Sequence, residues 1–335
     1  MVSLKNENSL AKDSSLPVLL ILFNRPQYLK ESILSINDIK PKKLYIHIDG
    51  PRNKDDSEKI EEILDLIETF DSDIKKEILT QNKNLGCGLG MSTAISWFFQ
   101  KEEFGIILED DCIPNKKFYS YCNNLLSRYK DDKNIFMIAG DNGGEIVPKK
   151  YFNDKQIMSV PIPLIWGWAT WKDRWEQYDY GKPKINLFNL YRNLKNFKWL
   201  ERFILMRYFY RLNNYKKLNT WDINLFYTMI ILGKNCIIPK ENLVKNIGFD
   251  NQATHTKETT FRSNAKTYNL ELNDYELAHS TKEMNSKIVY LLQSNLNSKF
   301  VHTNELNFSR LVYIRGRFNY IFLSIVSKMR KIFNI

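Results

Sequence analysis

Glu109, Asp110 and Asp111 follow one another without a spacer, directly behind the apolar run Ile106-Ile107-Leu108. Such a run is expected of a strand buried on both faces of a sheet, and Pro114 stops that strand from continuing. Three carboxylates at the edge of an apolar core cannot all stay ionised unless something positive neutralises them. A divalent cation does so, because acids at the mouth of a strand offer it oxygen ligands and leave one flank open for a phosphate. The competing reading is a hydrated acidic turn. Delivery of the acids by an apolar strand favours the metal.

The elements that must position these acids can be read in order. Residues 1–15 are expected to form a disordered arm. Leu16–Phe23 reads as the first strand, and Pro26 suits the first turn of a helix that carries Leu29, Ile33 and Ile36 on one side. Lys43–Asp49 reads as a second strand closed by Asp49-Gly50-Pro51. Ile60, Ile63, Leu64 and Ile67 are at helical spacing over residues 56–69, with Asp55 and Glu58 resembling a capping box. A short strand Ile78–Thr80, a loop Gln81–Gly90 and a helix Met91–Gln100 precede the acid-bearing fourth strand. Strand and helix thus alternate over the first 110 or so residues, which argues for right-handed crossovers and a mostly parallel sheet. Ligands of such sheets sit outside the carboxyl ends of the strands. Asn24-Arg25, His47 to Asp49, Asn84 to Gly88 and Glu109 to Asp111 are all expected there, which points to one site.

Ile135–Ala139 reads as another strand. The segment from Pro161 to Trp175 holds four of the chain's seven tryptophans. Residues 185–218 are basic, aromatic and helical in pattern, and Asp222–Leu232 reads as a helix with Leu225, Phe226, Met229 and Ile230 inward. Cys236–Pro239 reads as a strand.

The chain has 335 residues, 43% of them hydrophobic, enough for one large core. A net charge of +11 raises nucleic acid, an anionic membrane or a phosphorylated substrate as partners. No nucleic-acid-binding pattern accompanies the charge, so no nucleic-acid partner is expected. Cys87, Cys112, Cys122 and Cys236 have no metal-finger spacing and read as reduced, mostly buried thiols of a cytosolic protein. From Arg310 onward six basic residues and no acid accompany Ile314, Phe318, Ile321, Phe322 and Ile325 on one helical side. The tail is too short of uncharged residues to span a bilayer, which takes roughly 20. Either residues 310–335 lie on an anionic membrane surface or they form a helix docked on the domain or a partner.

Taken in order, Leu22-Phe-Asn-Arg-Pro26, Ile48-Asp49-Gly50, Asn84-Leu-Gly86, Leu108-Glu-Asp-Asp111, Trp166-Gly-Trp-Ala-Thr-Trp171, Trp221-Asp222, Asn246-Ile-Gly248 and Thr254-His255 resemble a GT-A-type glycosyltransferase. The nearest types are bacterial family-2-like enzymes and N-acetylglucosaminyltransferase I. Glu-Asp-Asp stands where many relatives have Asp-X-Asp, a form that a subset of the family uses. The resemblance covers about residues 16–260 and implies an α/β GT-A (Rossmann-like) fold with a mostly parallel central sheet flanked by helices, to which the basic tail adds a helical C-terminal extension. Residues 16–140 would be the nucleotide-sugar-binding half, 141–260 the acceptor-binding half and 261–335 the tail.

The resemblance also implies roles. Asn24 and Arg25 would border the base and phosphate, Asp49 the base or ribose, and Asn84 with Gly86 a loop over the uridine. Asp111 would ligate Mn²⁺ or Mg²⁺, with Glu109 and Asp110 orienting the ribose or a metal-bound water. If the pleat persists, Glu109 and Asp111 share a face and Asp110 points away. His255 would reach the metal or the diphosphate from a late loop, against the plain reading of a surface histidine. The tryptophan segment could offer a platform to an acceptor sugar, although core packing suits each ring singly. Asp222 matches the family's general base; a helix cap is its bland reading, and Asp141 and Asp173 are rivals. The implied activity is a metal-dependent inverting transfer from a UDP-type sugar to a hydroxyl of a cell-surface glycan or glycolipid, at the inner face of the cell membrane. A sugar nucleotidyltransferase, which would want a glycine-rich loop after the first strand, and a non-catalytic membrane-bound glycan-binding protein are the alternatives.

Overall fold

Every side chain of Val18–Leu22 (β1) is buried, so this strand must run through the middle of a sheet covered on both faces. In the computed structural model, which describes residues 16–143, 147–180, 187–214, 221–248, 267 and 276–285, it does so. Pro26–Ile39 (α1) leads to Lys43–Ile48 (β2), Lys54–Ile67 (α2) to Lys75–Thr80 (β3), and Gly86–Phe99 (α3) to Phe104–Glu109 (β4). These four strands lie parallel in the order β4-β1-β2-β3, the arrangement that right-handed crossovers produce.

The second half is mixed. Cys112–Pro114 (β5) and Lys116–Arg128 (α4) are followed by Ile135–Ala139 (β6), Ile157–Val160 (β7), Trp168–Trp171 (β8) and Lys172–Trp175 (α5). Leu187–Asn193 (α6), Trp199–Asn214 (α7), Asp222–Leu232 (α8), Asn235–Pro239 (β9), Val244–Asn246 (β10) and Leu277–His279 (β11) complete the described elements. The main sheet runs β11-β7-β9-β6-β8-β4-β1-β2-β3, and β5 pairs with β10 apart from it. Strand β8 runs antiparallel to both β4 and β6, so β6 points the same way as β4 and its carboxyl end lies on the same side. The chain is therefore α/β, with a large, mostly parallel mixed sheet flanked by helices. Contacts divide it into Met1–Ser286 and Lys287–Ile335. The second unit, with the basic tail and the arm 1–15, lies outside the described residues.

Alternation within the strands assigns the two faces. Leu20, Leu22, Ile46, Ile48, Ile106 and Leu108 join Leu29, Ile33, Ile36, Ile60, Ile63 and Ile67 of α1 and α2 in one core. Each such side chain contributes roughly 1.5–3 kcal/mol. On the other face, Tyr45 meets Trp97 and Phe98 of α3 edge to face.

Four local expectations are corrected. The cap of α2 is Asn53, whose side chain accepts from the Asp56 amide at 2.9 Å, rather than an Asp55–Glu58 box. Leu64 is left 38% exposed. The strand ends at Glu109, before Pro114 is reached: after the turn at Asp110–Asp111, Cys112–Pro114 itself pairs with Val244–Asn246. Helix α3 begins at Gly86, so Gly86–Gly90 belong to a helix and not to a loop.

Candidate active site

The carboxyl ends of β1, β2 and β4 come level, with Leu22 opposite Ile48 and Ile21 opposite Glu109. The turn after β1 sends Arg25 across to the turn after β4. Its Nε donates to Asp110 Oδ2 at 3.0 Å, Nη2 pairs with Asp110 Oδ1, and Nη1 donates to Asp111 Oδ2 at 3.0 Å. Burial opposes the guanidinium's charge, yet Asp110 and Asp111 outweigh it and hold Arg25 firmly protonated. Ser32 Oγ of α1 donates to the Asp110 carbonyl at 3.0 Å, fixing the turn to the helix behind it. The strand pleat does not persist past Glu109. Asp110 and Asp111 lie in a turn, and one guanidinium gathers both carboxylates that alternation would have sent to opposite faces.

Asp111 is also held from behind. Its carbonyl accepts from the Ile247 amide at 2.9 Å, and its Oδ1 accepts from Asn246 Nδ2 at 3.3 Å. Gly248 passes so close that a Cβ there would stand 2.2 Å from Asp111 Oδ2. The pairing of β5 with β10 brings Asn246-Ile-Gly248 to this place. The roles of Asn246 and Gly248 were missed individually; their only signal was the motif itself.

Glu109 is pushed well above the ordinary carboxylate range, first by burial and then by Asp111 and Asp110, with Asp222 adding to the effect. Asp110 is pushed up by burial too, against the pull of Arg25. Asp222 at the start of α8 therefore lies within electrostatic reach of the acid turn. The cap residue of α8 is Trp221, so Asp222 is not the N-cap its bland reading requires. Trp221 is buried and stacked on Trp168 at 5.8 Å, and its carbonyl accepts from Tyr178 Oη at 3.2 Å. The rivals are placed differently. Asp173 follows Trp171, which pairs with Phe104 at the opposite end of β4, and Arg174 and Lys133 hold it there. Asp141 follows β6 on the site's side of the sheet, buried, with Oδ1 closing a turn onto the Gly143 amide at 2.6 Å.

Of the remaining predicted residues, Asp49, Asn84 and Gly86 form a cluster of their own. Asp49, at the end of β2, accepts from the Leu85 amide at 2.8 Å, the Gly86 amide at 3.1 Å, the Gly50 amide at 2.9 Å and Asn84 Nδ2 at 3.0 Å. A carboxylate borrowed from a neighbouring strand thus caps α3, which is why the glycine-rich stretch is helical. Gly86 has φ +78°, and a Cβ on Gly90 would stand 3.3 Å from Asp49 Oδ2, so both glycines make room for this cap. Asn24 turns away from the acids and donates to Asp56 Oδ1 at 2.6 Å. Asp56 is in turn pulled down to about 2, foremost by its hydrogen bond from Arg52. His47 is buried inside β2 rather than in the site. His255 lies outside the described residues. Trp168, Trp171 and Trp175 are buried in the core and Trp166 is half-buried.

No known family matches this chain, and no curated protein does. Among solved structures, it is similar to galactosyltransferase LgtC in complex with donor and acceptor sugar analogs, at 10% identity and a TM-score of 0.31 over 63% of this chain and 70% of that one. It is similar to an apo UDP-glucose pyrophosphorylase at 11% identity and a TM-score of 0.32, over 66% and 90% of the two chains. A third is 4-diphosphocytidyl-2C-methyl-D-erythritolsynthase from Anaerococcus prevotii, at 12% identity and a TM-score of 0.27, over 65% and 97%. At these identities and scores none of them assigns a family or an activity.

The donor set suits a hard divalent cation. Glu109, Asp110, Asp111 and Asp222 outnumber the positive charge of Arg25, and that excess adds to burial in driving Glu109 upward. Among the described residues no three His, Cys, Asp or Glu side chains are grouped to hold an ion by themselves. A cation here would need further oxygens from outside this group.

Proposed function

We propose that the chain is a metal-dependent, inverting glycosyltransferase that moves a sugar from a UDP-type donor to a hydroxyl of a cell-surface glycan or glycolipid. The observation that carries this reading is the meeting of Glu109, Asp110, Asp111 and Arg25 at the carboxyl ends of a parallel sheet, where ligands of such sheets bind, with Asp222 within electrostatic reach. Asp111, with His255 if its loop reaches the site, would hold Mn²⁺ or Mg²⁺, and the cation would stabilise the charge that develops on a departing diphosphate. Arg25 fixes Asp110 and Asp111 in one orientation and keeps them from repelling each other. Asp49 anchors Asn84 and Gly86 over the same edge of the sheet, where a nucleoside would lie. Asp222 would accept the proton of the attacking hydroxyl, a task that requires a carboxylate within hydrogen-bond reach of it. Inversion follows from the resemblance alone. Among the described residues no helix is long and apolar enough to cross a membrane, which is compatible with a peripheral position at the inner membrane face.

The test is turnover of nucleotide sugars by the full chain. Asp222→Asn is expected to lower kcat roughly 10²–10⁴-fold while leaving donor binding near wild type. EDTA and Asp111→Asn are expected to abolish transfer in a protein that stays folded. Full activity in EDTA contradicts the reading. Release of pyrophosphate from a nucleoside triphosphate and a sugar phosphate would replace it with a nucleotidyltransferase.

A further inference from the structure

Away from the acid turn, one surface breaks the pattern of the rest. The large exposed aromatic side chains of the described residues are Phe188 (74%), Tyr191 (41%), Trp199 (51%) and Phe203 (49%), all on α6 and α7. Three of them form a cluster: Trp199 and Phe203 are 6.2 Å apart edge to face, and Tyr191 and Phe203 are 6.4 Å apart. Leu190, Leu194, Phe197 and Phe209 of the same segment are buried, so the segment already has an apolar side facing the core and displays a second one outward. Exposed apolar patches of this kind mark interaction surfaces.

Charge identifies the occupant. Arg192, Lys195 and Lys198 are exposed around the rings, and Arg202 is held over Tyr191 at 5.3 Å. The acid of residues 187–203 is Glu201, which is buried. A second copy docked patch to patch across a two-fold axis would set this ring of cations against the same ring of cations. Aromatic rings ringed by Lys and Arg, on a segment (187–203) that exposes no acid of its own, match the boundary of an anionic bilayer, where rings sit at headgroup level and cations meet lipid phosphates.

We infer that the Phe188–Phe203 face docks the protein on an anionic lipid bilayer. The surface is distinct from residues 310–335, and it does not depend on the transferase reading.

The experiment uses the full chain with vesicles of phosphatidylcholine, with or without phosphatidylglycerol, some carrying bromine on the acyl chains. Trp199 is the exposed one of the seven tryptophans; the others are buried or half-buried. Bromolipid is therefore expected to quench part of the intrinsic fluorescence on anionic vesicles, and Trp199→Phe is expected to lose that quenching. Replacing Lys195 and Lys198 by Gln is expected to weaken vesicle binding about 30-fold, roughly fivefold per cation. Binding whose quenching is unchanged in Trp199→Phe overturns the inference, and so does failure to bind anionic vesicles. Self-association through these rings in sedimentation, abolished by Trp199→Ser, also overturns it.

Discussion

Asp111 is where most of the site's geometry is spent, because Arg25, Asn246 and Gly248 all close on its carboxylate. A methyl group on Gly248 has no room unless that carboxylate moves, which would break the 3.0 Å link to Arg25. Gly248→Ala is thus expected to cut nucleotide-sugar turnover roughly 100-fold, the scale of a displacement of about 1 Å at a reacting group, with little change in stability. Wild-type kcat/KM in this variant would separate Asp111 from the chemistry. His47 poses a different question. It is fully buried, its Nε2 lies 3.2 Å from Gln81 Nε2, and its Nδ1 finds no partner among the described residues. Burial lowers its pKa to about 4 from an ordinary 6.5. The unfolded ring takes a proton near 6.5 and the folded ring only near 4, so its contribution is intact above 6.5 and is lost as pH falls through that window. Between pH 7.5 and 5 this amounts to about 2 kcal/mol. Urea titrations at the two pH values should show His47→Leu losing less stability on acidification than wild type by about that amount; an equal loss would mean that the ring is not held neutral.

Elements were legible where hydrophobic period alone decides them. β6 and α8 fall at the expected residues, and Leu29, Ile33 and Ile36 go into the core as their spacing requires. Reading failed where a distant side chain supplies what the local sequence lacks. Gly86, Gly88 and Gly90 disfavour a helix, yet α3 starts there because Asp49, on another strand, satisfies its first amides. The same limit applies to the acid turn: no local rule says that Arg25, 85 residues earlier, will bind Asp110 and Asp111 together. The α3 argument makes a prediction. Asp49→Ala removes the acceptor for three backbone amides and one side-chain amide, and it should cost about 2 kcal/mol in chemical unfolding. Asp49→Asn, which can still accept at a helix start, should recover about half of that. No loss in Asp49→Ala would leave the start of α3 unexplained.

At the scale of the whole molecule, the sheet places the polar ends of β1, β2, β3 and β4 along one edge, as alternation of strand and helix implied. β8, running antiparallel between β4 and β6, keeps the end of β6 and its Asp141 on that edge. The excess of carboxylate there over Arg25 is the feature on which the functional account rests. Its most direct test is the melting temperature of the full chain with UDP, UDP-sugars, Mn²⁺ and their combinations. Nucleotide and Mn²⁺ together, near 100 times the dissociation constant, should raise it by roughly 5 °C, with far smaller effects from either alone and none in Asp111→Asn. An equal rise in EDTA, or no rise with any nucleotide diphosphate, would contradict the account.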